Sequence, residues 1–127
     1  MWKVLMIALG GGVGTALRYG VAVGLAQRFP EGAPYGTFAV NVLGSFLLGA
    51  LMEAMPERPG WAEARVVLGT GLLGGFTTYS SFNLETLRML EQGTLGRAAL
   101  YAGGTFLTCA LAGFLGIVVA RSIRGAA

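Results

Sequence analysis

The densest polar chemistry in the chain lies in the stretch Gly69-Thr-Gly-Leu-Leu-Gly-Gly-Phe-Thr-Thr-Tyr-Ser-Ser-Phe82. Gly69, Gly71, Gly74 and Gly75 are followed at once by the hydroxyls of Thr77, Thr78, Tyr79, Ser80 and Ser81. The surrounding run, residues 66–84, carries no charge and is long enough to cross a bilayer. Each Gly weakens a helix by roughly 1 kcal/mol relative to Ala. Grouped Ser and Thr side chains offer the backbone rival hydrogen-bond partners. The pattern predicts a helix broken near residues 74–81. Broken backbone at membrane depth survives only where protein or a polar cavity surrounds it, so the segment is a candidate site.

Away from the ends of the apolar runs, the polar atoms belong to Asn41, Ser45, Thr77, Thr78, Ser80, Ser81, Thr105, Thr108 and the Tyr79 phenol. The central parts hold no Glu, Asp or Lys. Proton-coupled transport and cation pathways usually use such carboxylates. Hydroxyl and amide donors, with the positively polarised ring edges of Phe76 and Phe82, suit a small anion instead. The N-termini of half-helices act in the same direction. The carbonyls freed by a break have the opposite polarity and suit a hard cation. No nucleophile–base pair lies within the spans, so no enzyme is expected. The chain has no His, which removes imidazole catalysis and the usual zinc sites and pH switches.

Four elements must position these groups. Of 127 residues, 54% are hydrophobic and 12% charged, half the charge of a typical soluble domain (~25%). Residues 35–52, 66–84 and 98–120 are free of charge, and residues 4–27 are interrupted only by Arg18. The expected architecture is a single all-α membrane domain, residues 1–127. Its spans lie at about 3–27, 34–53, 61–91 (with the break) and 96–121. The start of the chain loosely resembles a signal peptide, but Arg18 precedes the supposed cleavage site, so a retained first helix is expected. The formal charge of +3 does not indicate nucleic acid, because the basic residues are scattered at span ends. Cys109 is the single cysteine, which excludes a disulfide framework within the chain and leaves it as a small packing residue.

Within the first span, residues 10–14 and 20–24 form small-xxx-small patterns suited to close helix approach. An arginine inside a span costs ~2.5–3.5 kcal/mol even on the lenient insertion scale. Arg18 therefore either snorkels or caps loop carbonyls, or serves a structural or anion-attracting role in a vestibule. Thr37, Asn41, Ser45 and Gly49 recur every four residues along one face of the second span. Asn41 either lines a site or joins helices. Tyr101, Thr105, Cys109 and Gly113 form a similar stripe in the fourth span. Glu85 either pairs with Arg88 or borders a polar vestibule. Residues 28–34 and 53–60 read as loops, and Trp61 suits the headgroup belt. Strict crossing puts Lys3, Arg58, Arg65, Arg121 and Arg124 on one side, and Arg28, Arg88 and Arg97 on the other. So weak a bias permits insertion both ways, and with it an antiparallel dimer.

Three motifs together resemble the small fluoride channels, the Fluc or CrcB family. They are Gly11-Gly-Val-Gly14 with Arg18-Tyr19, then Gly36-Thr-Phe-Ala-Val-Asn41-Val-Leu-Gly44-Ser-Phe, then Gly71-Leu-Leu-Gly-Gly-Phe-Thr-Thr-Tyr-Ser-Ser-Phe82. The third is highly specific, and the resemblance covers nearly the whole chain. It implies an antiparallel dual-topology homodimer in the cell's inner (plasma) membrane, with two fluoride pores. It also implies a structural Na⁺ at the dimer centre, held by the main-chain carbonyls of Gly74 and Thr77. Asn41 and the aromatics Tyr79 and Phe82 would line the pore, with Ser80, Tyr101 and Thr105 as its polar track. The family usually has Phe where this chain has Tyr79.

The expected function is thus passive export of fluoride from the cytoplasm. Two other readings fit the same outline. A small multidrug-type proton-coupled transporter needs an embedded acid in the first span, and residues 4–27 have none. A non-conducting membrane scaffold would use the small-residue stripes for assembly alone.

Overall fold

The computed structural model describes residues 1–29, 34–55 and 57–126, and among them the only regular structure is helical. Most of the loop expected over residues 28–34 lies outside the described residues, as does Pro56 in the next connector. Helix α1 is Trp2–Arg28 and α2 is Tyr35–Ala54. Helix α3 is a composite of Ala62–Arg65, Val66–Leu73 and Gly74–Phe76. It is entered through a tight turn, Pro59–Trp61, with Pro59 where its missing N–H costs nothing. Helix α4 is Tyr79–Glu91 and α5 is Leu95–Gly125.

Three helices, α1, α2 and α5, are long and apolar enough to cross a membrane. The remaining expected span, residues 61–91, is divided. At 1.5 Å per residue, the 13 residues of α4 cover only about 20 Å, short of the ~30 Å hydrocarbon core. The break is narrower than the sequence suggests. Only Thr77 and Thr78 leave the helix, with φ/ψ of −80/160° and −151/109°. Gly74 and Gly75 are helical. Extended backbone suits the β-branched threonines, so the glycines are there for another reason.

That reason is close approach. A methyl on Gly14 of α1 would overlap the Leu72 carbonyl oxygen, and one on Gly75 of α3 would overlap that of Gly11. Helices α1 and α3 therefore meet backbone to backbone. Their neighbour pair α2 and α5 does the same at Gly49 and Gly116. A methyl on Gly20 or Gly24 would meet nothing within 4 Å, so both glycines face away from this chain. The part of α3 that meets α1 at Gly71 is Val66–Leu73, a wide π-type helix in which the Gly74 N–H reaches back five residues to the Gly69 carbonyl.

One end of the bundle is tied by arginines. Arg65 donates to the carbonyls of Met52 (3.1 Å) and Met55, capping the C-terminus of α2. Arg121 and Arg124 of α5 each reach Glu53 of α2 at 3.1 Å. Lys3 pairs with Glu63 at 3.5 Å. Four of the five cations assigned to one side of the membrane are thus gathered by contacts. The buried core is thin: Val40, Leu73, Phe76, Ala98 and Ala120. Large apolar side chains face outward instead, such as Leu5, Leu9, Val13 and Leu17 in one row along α1. A surface of this kind is covered by lipid or by another protein.

Candidate functional site

The break is held open by one side chain. The Thr78 N–H donates to Asn41 Oδ1 at 2.7 Å, and Asn41 Nδ2 donates to the Thr78 carbonyl at 3.0 Å. This pair of bonds supplies what a fourth-residue helical partner would otherwise supply on both sides of Thr78. Asn41 is therefore both a joint between α2 and the break and a lining residue, with one Nδ2 hydrogen that has no partner among the described residues. Its place follows from the stripe on α2. Ser45, one turn on, donates to the Asn41 carbonyl at 2.7 Å. A methyl at Gly44 would overlap the Thr77 side chain, so glycine lets the break lie against α2.

Thr78 also starts α4. Its Oγ1 accepts the Ser81 N–H at 3.3 Å, an N-cap, and donates to Ser81 Oγ at 3.0 Å. Ser80 Oγ lies 3.4 Å from the same Oγ1. On the other side, the carbonyls of Gly74 and Thr77 receive no backbone N–H from four residues ahead, because Thr78 N–H has gone to Asn41 and Ser81 N–H to Thr78. One terminus offers donors and the other offers acceptors, a few residues apart. Among the described residues no cluster of His, Cys, Asp or Glu is suited to a metal. The free carbonyls are the fitting ligands for a hard cation.

A groove of about 460 Å³ runs beside the break. Asn41, Ser45 and Leu48 line it from α2, Thr77 to Tyr79 and Phe82 from the break and α4, and Thr105, Phe106 and Cys109 from α5. Four of the six expected pore residues are brought together here: Asn41, Tyr79, Phe82 and Thr105. Thr105 is only 5% exposed, and its Oγ1 is the one buried side-chain oxygen or nitrogen among the described residues without a partner. A buried hydroxyl in that state leaves one hydrogen-bond demand unmet. Tyr79, in contrast, is 77% exposed. Its ring centroid lies 5.7 Å from that of Phe82, which lies 5.4 Å from that of Tyr101. The three tilted rings form a continuous row.

Ser80 and Tyr101 lie outside the lining of this groove. The Tyr101 hydroxyl donates to Glu85 Oε2 at 2.7 Å, and Thr37 Oγ1 donates to Glu85 Oε1 at 2.7 Å. Glu85 thus bridges α2 and α5 and makes no ion pair with Arg88. Sequence reasoning missed this bridge, although Thr37 shares a face with Asn41 and Glu85 lies seven residues after Thr78, on the same face two turns further along. Arg18 lines a second pocket of about 220 Å³ with Thr15, Thr37, Thr78 and Ser81. Its guanidinium makes no hydrogen bond or ion pair among the described residues, so no loop carbonyl there is capped by it. Thr78 borders both cavities. Cys109, expected to serve packing, faces the groove; Gly113, one turn on, does pack, against α2 at Gly49.

The sequence as a whole is similar to that of known proteins. The family described as CrcB-like protein, Camphor Resistance (CrcB), matches residues 5–117. Curated relatives called fluoride-specific ion channel FluC align over nearly their full length. That of Sorangium cellulosum is 48% identical, covering 97% of this chain and 98% of the relative. That of Caulobacter vibrioides is 45% identical with the same coverage, and that of Thermus thermophilus 42%, covering 97% of each. This chain belongs to the CrcB family of membrane proteins.

Proposed function

We propose that this chain forms a fluoride-selective channel in the plasma membrane that lets fluoride leave the cytoplasm passively. It is a channel and not an enzyme. The observation that carries the reading is the groove beside the Asn41–Thr78 joint, which holds hydroxyl and amide donors, aromatic edges and the unpartnered Thr105 hydroxyl. It belongs to a chain whose curated relatives are named fluoride-specific channels.

The direction of transport follows from elementary electrostatics. HF enters a cell from acid surroundings and dissociates inside. The negative-inside potential then drives the anion out, with about 2.3 kcal/mol per charge for each 100 mV. Donors of fixed geometry replace its water shell, the remaining Asn41 Nδ2 hydrogen and the Thr105 hydroxyl among them. The N-terminus of α4 favours a negative charge at the same place. Arg18, Ser80, Tyr101 and Glu85 sit on the approach, with Arg18 supplying positive potential in the second pocket.

The groove is partly open, and α3 with α4 is read as the third of four crossings. A second copy inserted in the opposite sense would close the groove and cover the outward Gly20 and Gly24. Gly74 and Thr77 carbonyls from both copies would hold a Na⁺. When bound, that ion supplies a fixed positive charge beside the anion path. Fluoride efflux from liposomes tests the reading, and a stable oligomer without flux would favour the scaffold.

A further inference from the structure

The groove contains one group that the channel reading leaves unused. Cys109 lies one turn beyond Thr105 on the same face of α5, and both line the groove. It is half-buried, a free thiol, and makes no hydrogen bond among the described residues. The neighbouring Thr105 hydroxyl, nine-tenths buried and without a partner among the described residues, independently marks this stretch of the groove wall as one whose hydrogen-bond demand the chain itself does not meet. In the single chain the groove beside Cys109 measures about 460 Å³. Cys109 is also the only cysteine in the chain, so such a reagent has a single target.

We propose that Cys109 is a modification site in the wall of the anion groove, at which a small thiol-directed electrophile, once joined to Sγ, blocks anion passage. The inference rests on the channel reading above. With a thiosulfonate, the Cys109 thiolate attacks the sulfenyl sulfur. A new S–S bond forms on Sγ and the reagent's own S–S bond breaks. Methanesulfinate leaves with the electron pair, and the thiol's proton passes to water. The adduct fills part of the groove. If its tail is an anionic sulfonate, it also sets a fixed negative charge beside the path, which repels a like charge in a partly desolvated space. The same chemistry makes the groove sensitive to small disulfides.

The test uses the full chain in liposomes, treated with 2-sulfonatoethyl methanethiosulfonate, with the adduct followed by intact mass. Fluoride efflux is expected to fall at least tenfold in step with a single adduct, and to return when dithiothreitol removes it. Efflux through Cys109→Ser, compared with its own untreated sample, is expected not to respond to the reagent. The inference is overturned if the adduct forms and efflux is unchanged, or if the folded protein takes no adduct while the unfolded chain does. Both results leave the channel reading standing. Absence of efflux from the untreated protein overturns the channel reading, and this inference with it.

Discussion

Asn41 and Thr78, 37 residues apart in sequence, are joined by two hydrogen bonds of 2.7 and 3.0 Å that tie the amide side chain to the backbone at the helix break. The joint explains how a two-residue interruption stays open without a glycine at the interrupted positions. It also puts Asn41 in two places at once: bonded to Thr78 and in the lining of the groove.

Replacing donor by acceptor at this joint separates its hydrogen bonding from bulk. Asn41→Asp has the same shape but sets a carboxylate oxygen against the Thr78 carbonyl. Leaving such a buried group unsatisfied costs about 1–3 kcal/mol, more for a charged one. Fluoride efflux is expected to drop at least a hundredfold while the oligomer persists on size exclusion. Wild-type efflux would remove Asn41 from the path.

The Glu85 bridge predicts a measurable coupling. Tyr101→Phe and Thr37→Val each remove one donor to a carboxylate, and hydrogen bonds to charged groups are worth about 1.5–3 kcal/mol. Each variant is expected to unfold at lower temperature in detergent. Because both donors serve one carboxylate, the double variant is expected to depart from the sum by at least about 0.5 kcal/mol. Strict additivity would mean that Glu85 does not join α2 to α5.

Much of this is legible in the sequence, and the failures have physical causes. The apolar runs locate α1, α2 and α5 because length and hydropathy are read directly from composition. The polar stripe on α2 locates one wall of the groove at Asn41 and Ser45, and a wall of the second pocket at Thr37, because helical period is a local property. Local propensity places the break too broadly, near residues 74–81, because it makes glycine the residue that opens a helix. Gly74 and Gly75 remain helical, and Thr77 and Thr78 are extended because of a partner 37 residues away. The Glu85 bridge is hidden for the same reason: its partners, Thr37 and Tyr101, lie 48 and 16 residues away. The wide turn at Val66–Leu73 has no distinct local signature.

The glycines divide into two experimental classes. Gly75→Ala places a methyl against the Gly11 carbonyl, and forcing α1 and α3 apart is expected to cost about 1–3 kcal/mol in thermal unfolding. A Cβ at Gly20 or Gly24 meets nothing within 4 Å, so helix content is expected to stay intact in Gly20→Leu and Gly24→Leu. If these glycines face a second copy, the same variants shift the oligomer toward monomer in cross-linking. Unchanged cross-linking would place the dimer face elsewhere.

Tyr79 isolates ring from hydroxyl. Its hydroxyl makes no hydrogen bond among the described residues, and its ring begins the row that continues through Phe82 to Tyr101. Tyr79→Phe is expected to keep efflux within about threefold and stability within about 0.5 kcal/mol. Tyr79→Ala removes the ring edge and is expected to reduce efflux tenfold or more. Equal loss in both variants would assign the function to the hydroxyl instead.

The central claim is that this chain conducts fluoride selectively, and one measurement addresses it directly. Purified protein is reconstituted into liposomes loaded with potassium fluoride or potassium chloride, and valinomycin is added while an ion-selective electrode follows each anion. The account predicts rapid fluoride efflux and chloride efflux at the level of protein-free liposomes. No fluoride efflux, or chloride efflux at an equal rate, would contradict it.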